Sequence, residues 1–229
     1  MSSAFKTFED ALGAEQFPAV DLALRKGRHF GREDGGLYDY LVDALDYLEP
    51  FYRRYGCELV QRADGYVFLL PSGERLGQRR LSAGEMLVGQ TLALMYLDPA
   101  ALRLGALGPE DVLERLAGLV SAETLYRLLQ PRSRRFDERL AAETVRQKVA
   151  EALRRLAELG FLDQGEEGAL HLRPALMRFA DPVRDQGDLG AALARLVARG
   201  EVVLGGETPD RPEAEDEDRA AEDLDEHPR

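Results

Sequence analysis

Apolar residues along this chain recur at helical spacing in two successive blocks, and each block ends in two short β-prone runs. In the first block, apolar positions within residues 37–55 repeat every three to four residues, which predicts one long amphipathic helix. Pro50 lies inside this pattern, so we expect it to kink or split the helix. Cys57–Val60 and Tyr66–Leu70 follow on either side of an Asp-Gly dipeptide, a strong signal for a β-hairpin.

The second block repeats this order with additional helices. Ser82 and Glu85 have the spacing of a capping box and open its first helix. The longest helix is predicted over residues 137–159, directly before a glycine that is typical of a helix end. Two β-prone runs at residues 161–163 and 169–172 then predict a second hairpin.

Helices followed by a hairpin are the order of a winged helix, in which the hairpin forms the wing. The sequence therefore predicts a mainly α fold with small β-hairpins (α+β), organised as tandem winged-helix domains at residues 1–76 and 77–204. Residues 205–229 are rich in Glu, Asp, Pro and Ala and have almost no apolar anchor, so we expect a disordered acidic tail.

The net charge of −12 is concentrated in that tail. Residues 207–229 contain eleven acids and three arginines, a net of −8, which leaves −4 for residues 1–206. The acidic balance therefore leaves room for a basic surface on the folded part. The tail itself is either a solubilising end or a tether that contacts a basic partner or competes with DNA.

Motifs of the common enzyme classes are missing from the sequence. It has no GxxxxGK[ST], no GxGxxG after a strand, no HExxH and no GxSxG. Cys57 is the single cysteine and the three histidines are scattered, so an intrachain disulfide is excluded and a metal site is not expected. We expect no catalytic residue, no cofactor and no metal. No apolar run approaches the ~20 residues of a membrane span and no signal peptide is visible, which favours a soluble cytoplasmic protein.

Four segments resemble the MukE family of bacterial condensin subunits. FPAVDLALRKGRHFG at Phe17–Gly31 is the strongest, and YLVDALDYLEPFYRRYGCELV at Tyr40–Val60 follows it. LRRLAELGFL at Leu153–Leu162 and LMRFADPVR at Leu176–Arg184 also look like family segments. The related MksE branch has the same architecture, and these segments leave the choice between the two branches open.

The resemblance implies tandem winged helices and a non-catalytic homodimer that binds a MukF-like kleisin subunit. Through the kleisin, the protein would join a complex with a MukB-like SMC ATPase, contribute to DNA clamping, and support chromosome condensation and segregation at the nucleoid. Any ATP hydrolysis would belong to the SMC subunit. The main alternative is a dimeric winged-helix transcription regulator. The presence of two winged-helix blocks within one chain disfavours it.

A basic cluster before and along the longest helix is the first candidate DNA-binding surface. Its members are Arg132, Arg134, Arg135, Arg139, Arg146, Lys148, Arg154 and Arg155. Arg139 and Arg146 lie seven residues apart and therefore share a helix face. Such a cluster contacts phosphates without reading bases, at a strength that falls steeply with salt. The alternative is an ordinary solvated helix face, because glutamates are interleaved with these residues.

A second basic stretch contains Arg25, Lys26 and Arg28, with His29 and Arg32 beside them. We expect it to lie in an exposed turn, where it is a candidate for binding DNA or an acidic segment of a partner. The alternative is helix C-terminal charge that complements the helix dipole.

Aromatic residues of the first long helix are candidate partner-binding positions. Tyrosine in particular is a common interface anchor. The candidates are Tyr47, Phe51, Tyr52 and Tyr55. The alternative, which the helical spacing favours for most of them, is packing in the core.

Overall fold

The computed structural model describes residues 5–72, 80–100, 107–130 and 138–198, with side chains from residue 141 onward in the last range. The helices in these ranges are α1 (Phe8–Gly13), α2 (Phe17–Arg25), α3 (Gly36–Asp43), α4 (Leu45–Arg53), α5 (Ala83–Leu97), α6 (Pro109–Leu119), α7 (Ala122–Leu129), α8 (Glu138–Glu158) and α9 (Leu189–Ala198). The strands are β1 (Phe30–Gly31), β2 (Cys57–Arg62), β3 (Tyr66–Pro71), β4 (Leu162–Gln164) and β5 (Leu170–Leu172). Short 3₁₀ segments cover Arg32–Asp34, Glu166–Gly168 and Pro174–Val183. The predicted mainly α fold with small antiparallel hairpins is confirmed.

The predicted long helix of the first block is two helices, α3 and α4, and the break lies at Ala44 (φ −90°, ψ −1°). Pro50 lies inside α4, so the expectation of a split at this proline is wrong, and a kink at Pro50 stays a prediction. The carbonyl of Asp46 is the one that would have bonded an N–H at residue 50, and Asp46 is exposed, so water can satisfy it. Ala44, in contrast, is fully buried at the bend.

The first hairpin forms as predicted and gains a third strand. The pairing of β2 with β3 is antiparallel and runs without a bulge from Cys57 opposite Pro71 to Arg62 opposite Tyr66. The turn uses Gly65 at φ +89°, a conformation that glycine adopts without strain. The third strand, β1, pairs with the other edge of β3. Its two residues are too few for a periodic pattern to predict.

Strand β3 belongs to two hydrophobic cores at once. Side chains alternate between the two faces of a strand. Val67 and Leu69 therefore join the core of the first block, whereas Tyr66 and Phe68 join the core of the second. The two blocks thus pack on opposite faces of one sheet. The predicted boundary after residue 76 falls in residues 73–79, outside the described residues, and stays a prediction.

The second block is built around α5, which is buried along most of its length. The predicted capping box opens it: Glu85 N–H donates to Ser82 Oγ at 3.2 Å, and Ser82 N–H donates to Glu85 Oε2 at 2.7 Å. Around α5 pack α6, α7, α8, α9 and the 3₁₀ segment Pro174–Val183. Helix α8 ends just before Gly160, and β4 and β5 then form the second predicted hairpin.

Both blocks therefore place a hairpin after a helix, which is the order behind the winged-helix prediction. The winged-helix assignment itself stays a prediction, and the tail at residues 205–229 lies outside the described residues. In the part of the chain that the structure describes, no helix is both long and apolar enough to cross a membrane.

Candidate functional site

The structure brings one residue of the second basic stretch and the aromatic residues of α4 into a single cluster. The Arg25 guanidinium carbon lies 4.7 Å from the ring centre of Tyr55, and 5.9 Å and 5.8 Å from those of Phe51 and Tyr52. Asp21, one turn earlier on α2, accepts a hydrogen bond from Arg25 Nε at 2.8 Å. Arg25 therefore stacks on rings at the end of α4, and Asp21 of its own helix neutralises its charge, an arrangement that sequence alone did not predict.

The four aromatic positions differ in how much surface they offer. Tyr52 is fully buried and donates from its hydroxyl to Asp21 at 3.0 Å, while burial and this carboxylate raise its pKa, so the hydroxyl keeps its proton. The Tyr47 hydroxyl donates to the Phe5 carbonyl at 2.9 Å and thereby anchors the N-terminal segment. Phe51 is half-buried, and Tyr55 keeps 39% of its surface exposed. Of the four, Tyr55 offers the most surface to a partner, and the partner role of all four stays a prediction.

Arg28 and His29 of the basic stretch form a junction with the second block. His29 is 4% exposed, which contradicts the expected exposed turn at this residue, although Lys26 and Arg32 are exposed. The His29 backbone N–H donates to the Leu159 carbonyl at 2.8 Å, and Arg28 Nη1 lies 3.4 Å from the Glu158 carbonyl. Residues 28 and 29 are thus held against the C-terminal end of α8.

The hydrogen bonds of the His29 ring require its neutral form. Arg178 Nη1 lies 2.8 Å from Nε2, and a guanidinium can only donate, so Nε2 must accept. Nδ1 then carries the proton and donates to the Leu159 carbonyl at 3.1 Å. Burial, and then the charge of Arg178, lower the pKa of His29 to about 3. The ring also packs against Phe68 and Phe161, so one side chain touches elements of both blocks.

Gly160 makes this close approach possible. Its φ is +78°, and a Cβ built on it would lie 2.2 Å from the His29 carbonyl oxygen. A side chain at residue 160 would therefore push the first block off the end of α8.

Two ion-pair networks flank the histidine. In the first, buried Arg173 donates to Asp34 at 2.9 Å and to Asp163 at 2.7 Å, and Arg28 also pairs with Asp34 at 2.9 Å. This network joins the 3₁₀ segment of the first block to the base of the second hairpin.

The second network joins the turn of the first hairpin to the 3₁₀ segment Pro174–Val183. Arg184 pairs with Asp64 and Asp181, both at 2.9 Å, and Arg62 lies 3.3 Å from Asp181. Three of the four segments that carry the family resemblance, Phe17–Gly31, Leu153–Leu162 and Leu176–Arg184, contribute residues to the junction. The contacts of Arg173 with Asp34 and of Arg184 with Asp64 were missed because no sequence spacing links residues more than a hundred positions apart.

The basic residues of α8 do not converge on one face. At 100° per residue, Arg146 and Arg154 lie on one flank of the helix, whereas Lys148 and Arg155 lie on the other. Glutamates accompany three of them: Arg146 with Glu110 at 3.7 Å, Lys148 with Glu151 at 2.6 Å, and Arg155 with Glu158 at 2.9 Å. These pairs favour the solvated-face alternative for Lys148 and Arg155, which are the less exposed of the four.

The remaining members of this cluster lie partly or wholly outside the described residues. Arg132, Arg134 and Arg135 fall in residues 131–137, and Arg139 belongs to α8 with its side chain undescribed. Seven residues from Arg146, Arg139 occupies the same flank of the backbone helix. Arg139, Arg146 and Arg154 therefore define the flank on which a DNA contact stays a prediction.

Comparison with known proteins places the chain in a family. The sequence model of the family described as condensin complex protein MksE matches residues 15–184. The chromosome partition protein MukE of Vibrio parahaemolyticus is 34% identical over 221 residues, which cover 93% of this chain and 94% of that protein. MukE of Vibrio vulnificus is 36% identical over 196 residues, 84% of each chain, and MukE of Mannheimia succiniciproducens is 35% identical over 205 residues, 87% of this chain and 83% of that protein.

These matches define the class as a subunit of a bacterial condensin. The chain belongs to the MksE family of condensin complex proteins, together with relatives that carry the name MukE. The resemblance predicted from the sequence is thereby confirmed.

Proposed function

We propose that this chain is a non-catalytic accessory subunit of a bacterial SMC condensin complex. It binds the kleisin subunit as a homodimer, reaches the SMC ATPase through the kleisin, contributes to DNA clamping, and supports chromosome condensation and segregation at the nucleoid. The observation that carries the proposal is the family match over residues 15–184, with relatives named as chromosome partition proteins.

The polar side chains of the junction support a scaffold rather than an enzyme. Histidine is the side chain that acid–base catalysis uses most often, as at His29, and arginines such as Arg173 and Arg184 are the type that binds anionic substrates. Each one is instead engaged by a carbonyl, an arginine or a carboxylate that links the two blocks. These contacts fix the orientation of the two hairpins relative to each other, as a scaffold that presents surfaces to several partners requires.

The proposed contact with DNA lies on one flank of α8. Arg146 and Arg154 are both exposed, and the Arg146–Glu110 pair is long and open to solvent, so phosphates can compete for these arginines. Contacts of this kind add affinity that depends on salt and not on base sequence.

Purification of the chain, alone and together with the kleisin, tests the proposal. The chain is analysed alone by size-exclusion chromatography with light scattering, and then after co-expression with the kleisin encoded by the same host. A mass of two chains, and co-elution of the dimer with the kleisin, are expected. A monomer that fails to bind the kleisin, yet selects a defined site from random duplex DNA, would contradict the proposal and support the transcription-regulator alternative.

A further inference from the structure

The outer face of α2 carries apolar surface that the fold leaves uncovered. Pro18, Ala19 and Leu22 are exposed along this helix, and Leu22 keeps 55% of its surface accessible. Among the described residues, the large exposed hydrophobic side chains are Leu22, Tyr55 and Leu70. Two of these three, Leu22 and Tyr55, lie beside Arg25.

Arg25 makes these residues one continuous surface. It lies three positions after Leu22 and is therefore its neighbour on the surface of α2. Its guanidinium carbon is 4.7 Å from the centre of the Tyr55 ring. We call Pro18, Ala19, Leu22 and Tyr55 the α2 patch; it continues one turn beyond Leu22 to exposed Lys26.

The charge at the edge of the α2 patch selects an acidic occupant. Arg25 with Asp21, and Arg53 with Glu49, are neutral pairs. Lys26 has no ion pair with any described residue, so it leaves a positive charge at the end of the apolar row. A second copy of the chain docking by twofold symmetry would face the same lysine-bearing surface. An acidic segment with an apolar edge complements both features.

The chain contains such a segment beyond the last described residue. In AAEDLDE, residues 220–226, the spacing of Ala220, Ala221 and Leu224 is that of one edge of an amphipathic helix, and the other four residues are acids. We propose that residues 220–226 dock on the α2 patch of the same chain, with Leu224 against Leu22 and Tyr55 and the acids toward Lys26. The tail then covers this face of the first block until a partner displaces it.

A tethered segment suits a patch this small. A few exposed side chains give a weak contact, but a covalent tether raises the local concentration of the segment into the millimolar range. Twenty-five residues separate Ala198 from Leu224, and a random coil of that length spans about 28 Å on average, enough to cross a domain of this size. Because part of the attraction is between exposed charges, added salt weakens it.

A spin label on the tail tests the proposal in the full-length chain. The native cysteine is buried, so an H227C variant takes a nitroxide label selectively at the end of the segment. In ¹⁵N-labelled protein, we expect the NMR signals of the α2 amides to lose intensity through paramagnetic broadening. They should regain intensity in about 0.5 M salt, which is roughly three times physiological ionic strength. The L22D variant should abolish the broadening. The matched control L70D, at an exposed leucine of β3, should retain it.

Three results would overturn the proposal. The first is unchanged α2 intensities in the labelled chain, and the second is broadening centred on another surface. The third comes from a mixture of two populations, spin-labelled chains without ¹⁵N and ¹⁵N-labelled chains without the spin label. Broadening of α2 in that mixture assigns the contact to the tail of a second copy. None of these results bears on kleisin binding, so they leave the proposed function untouched.

Discussion

His29 should make the stability of this protein depend on pH. The folded state holds the ring neutral, because Nε2 accepts from Arg178 and Nδ1 donates to the Leu159 carbonyl. In the unfolded chain the ring protonates near its ordinary pKa of 6.5, whereas in the folded chain it does so only near a pKa of about 3. The contribution of His29 is therefore complete above pH 6.5 and is lost progressively as the pH falls toward 3.

The size of the effect follows from the gap between the pH and the unfolded pKa. Each pH unit below 6.5 costs about 1.4 kcal/mol as long as the folded ring stays neutral, so lowering the pH to 5 should cost about 2 kcal/mol. Carboxylates add their own pH dependence, and a variant without the histidine isolates the share that belongs to His29.

Urea unfolding at pH 7 and pH 5, followed by circular dichroism, measures this share. H29Q lowers stability at pH 7 through lost packing, but the change between the two pH values should be smaller than in the wild type by about 2 kcal/mol. The matched control H171Q removes an exposed histidine of β5 and leaves the junction intact. Equal pH dependence in the wild type and H29Q would refute the assignment of a neutral, buried ring.

Three further predictions concern the junction and the α8 flank. G160A should lower the unfolding free energy by about 3 kcal/mol or more, because it combines a positive φ with a clash against the His29 carbonyl. The control G168A, at φ +81° with nothing within 4 Å of the added Cβ, should lower it by only about 1 kcal/mol. Similar losses for the two variants in urea unfolding would contradict the close approach of Gly160 to His29. R173Q removes one of the two arginines that pair with buried Asp34 and should cost up to about 3 kcal/mol by the same assay, and a cost near zero would show that the network is not coupled to folding. Charge reversal at Arg146 and Arg154 should lower DNA retention by the assembled complex at low salt and reduce its salt dependence, with kleisin binding as the control; unchanged retention would remove this flank from the DNA contact.

The elements with local signals were predictable from the sequence. The Ser82–Glu85 box, the glycine after α8 and the Asp-Gly turn each act within a few residues, and the structure has a helix start, a helix end and a hairpin at these places. The bend at Ala44 was not predictable, because an alanine carries no turn signal, and the choice between a straight and a bent helix depends on what packs against it.

Charge was the weaker guide to the candidate site. Arg25 and Arg28 were predicted as contacts for DNA or a partner, but both lie against carboxylates of the first block. Their partners Asp21 and Asp34 are close in sequence, so a local pair was a readable possibility. Arg173 and Arg178 gave no such signal for their contacts with the first block, because Asp34 and His29 lie more than a hundred residues away from them.

A tagged pull-down from the native host, with the partners identified by mass spectrometry, shows whether this chain is a subunit of a condensin complex. Membership in this complex predicts recovery of a kleisin and a large SMC ATPase in stoichiometric amounts, and loss of both when the junction is broken by G160A. Recovery of the chain alone, or with components of RNA polymerase, would contradict it.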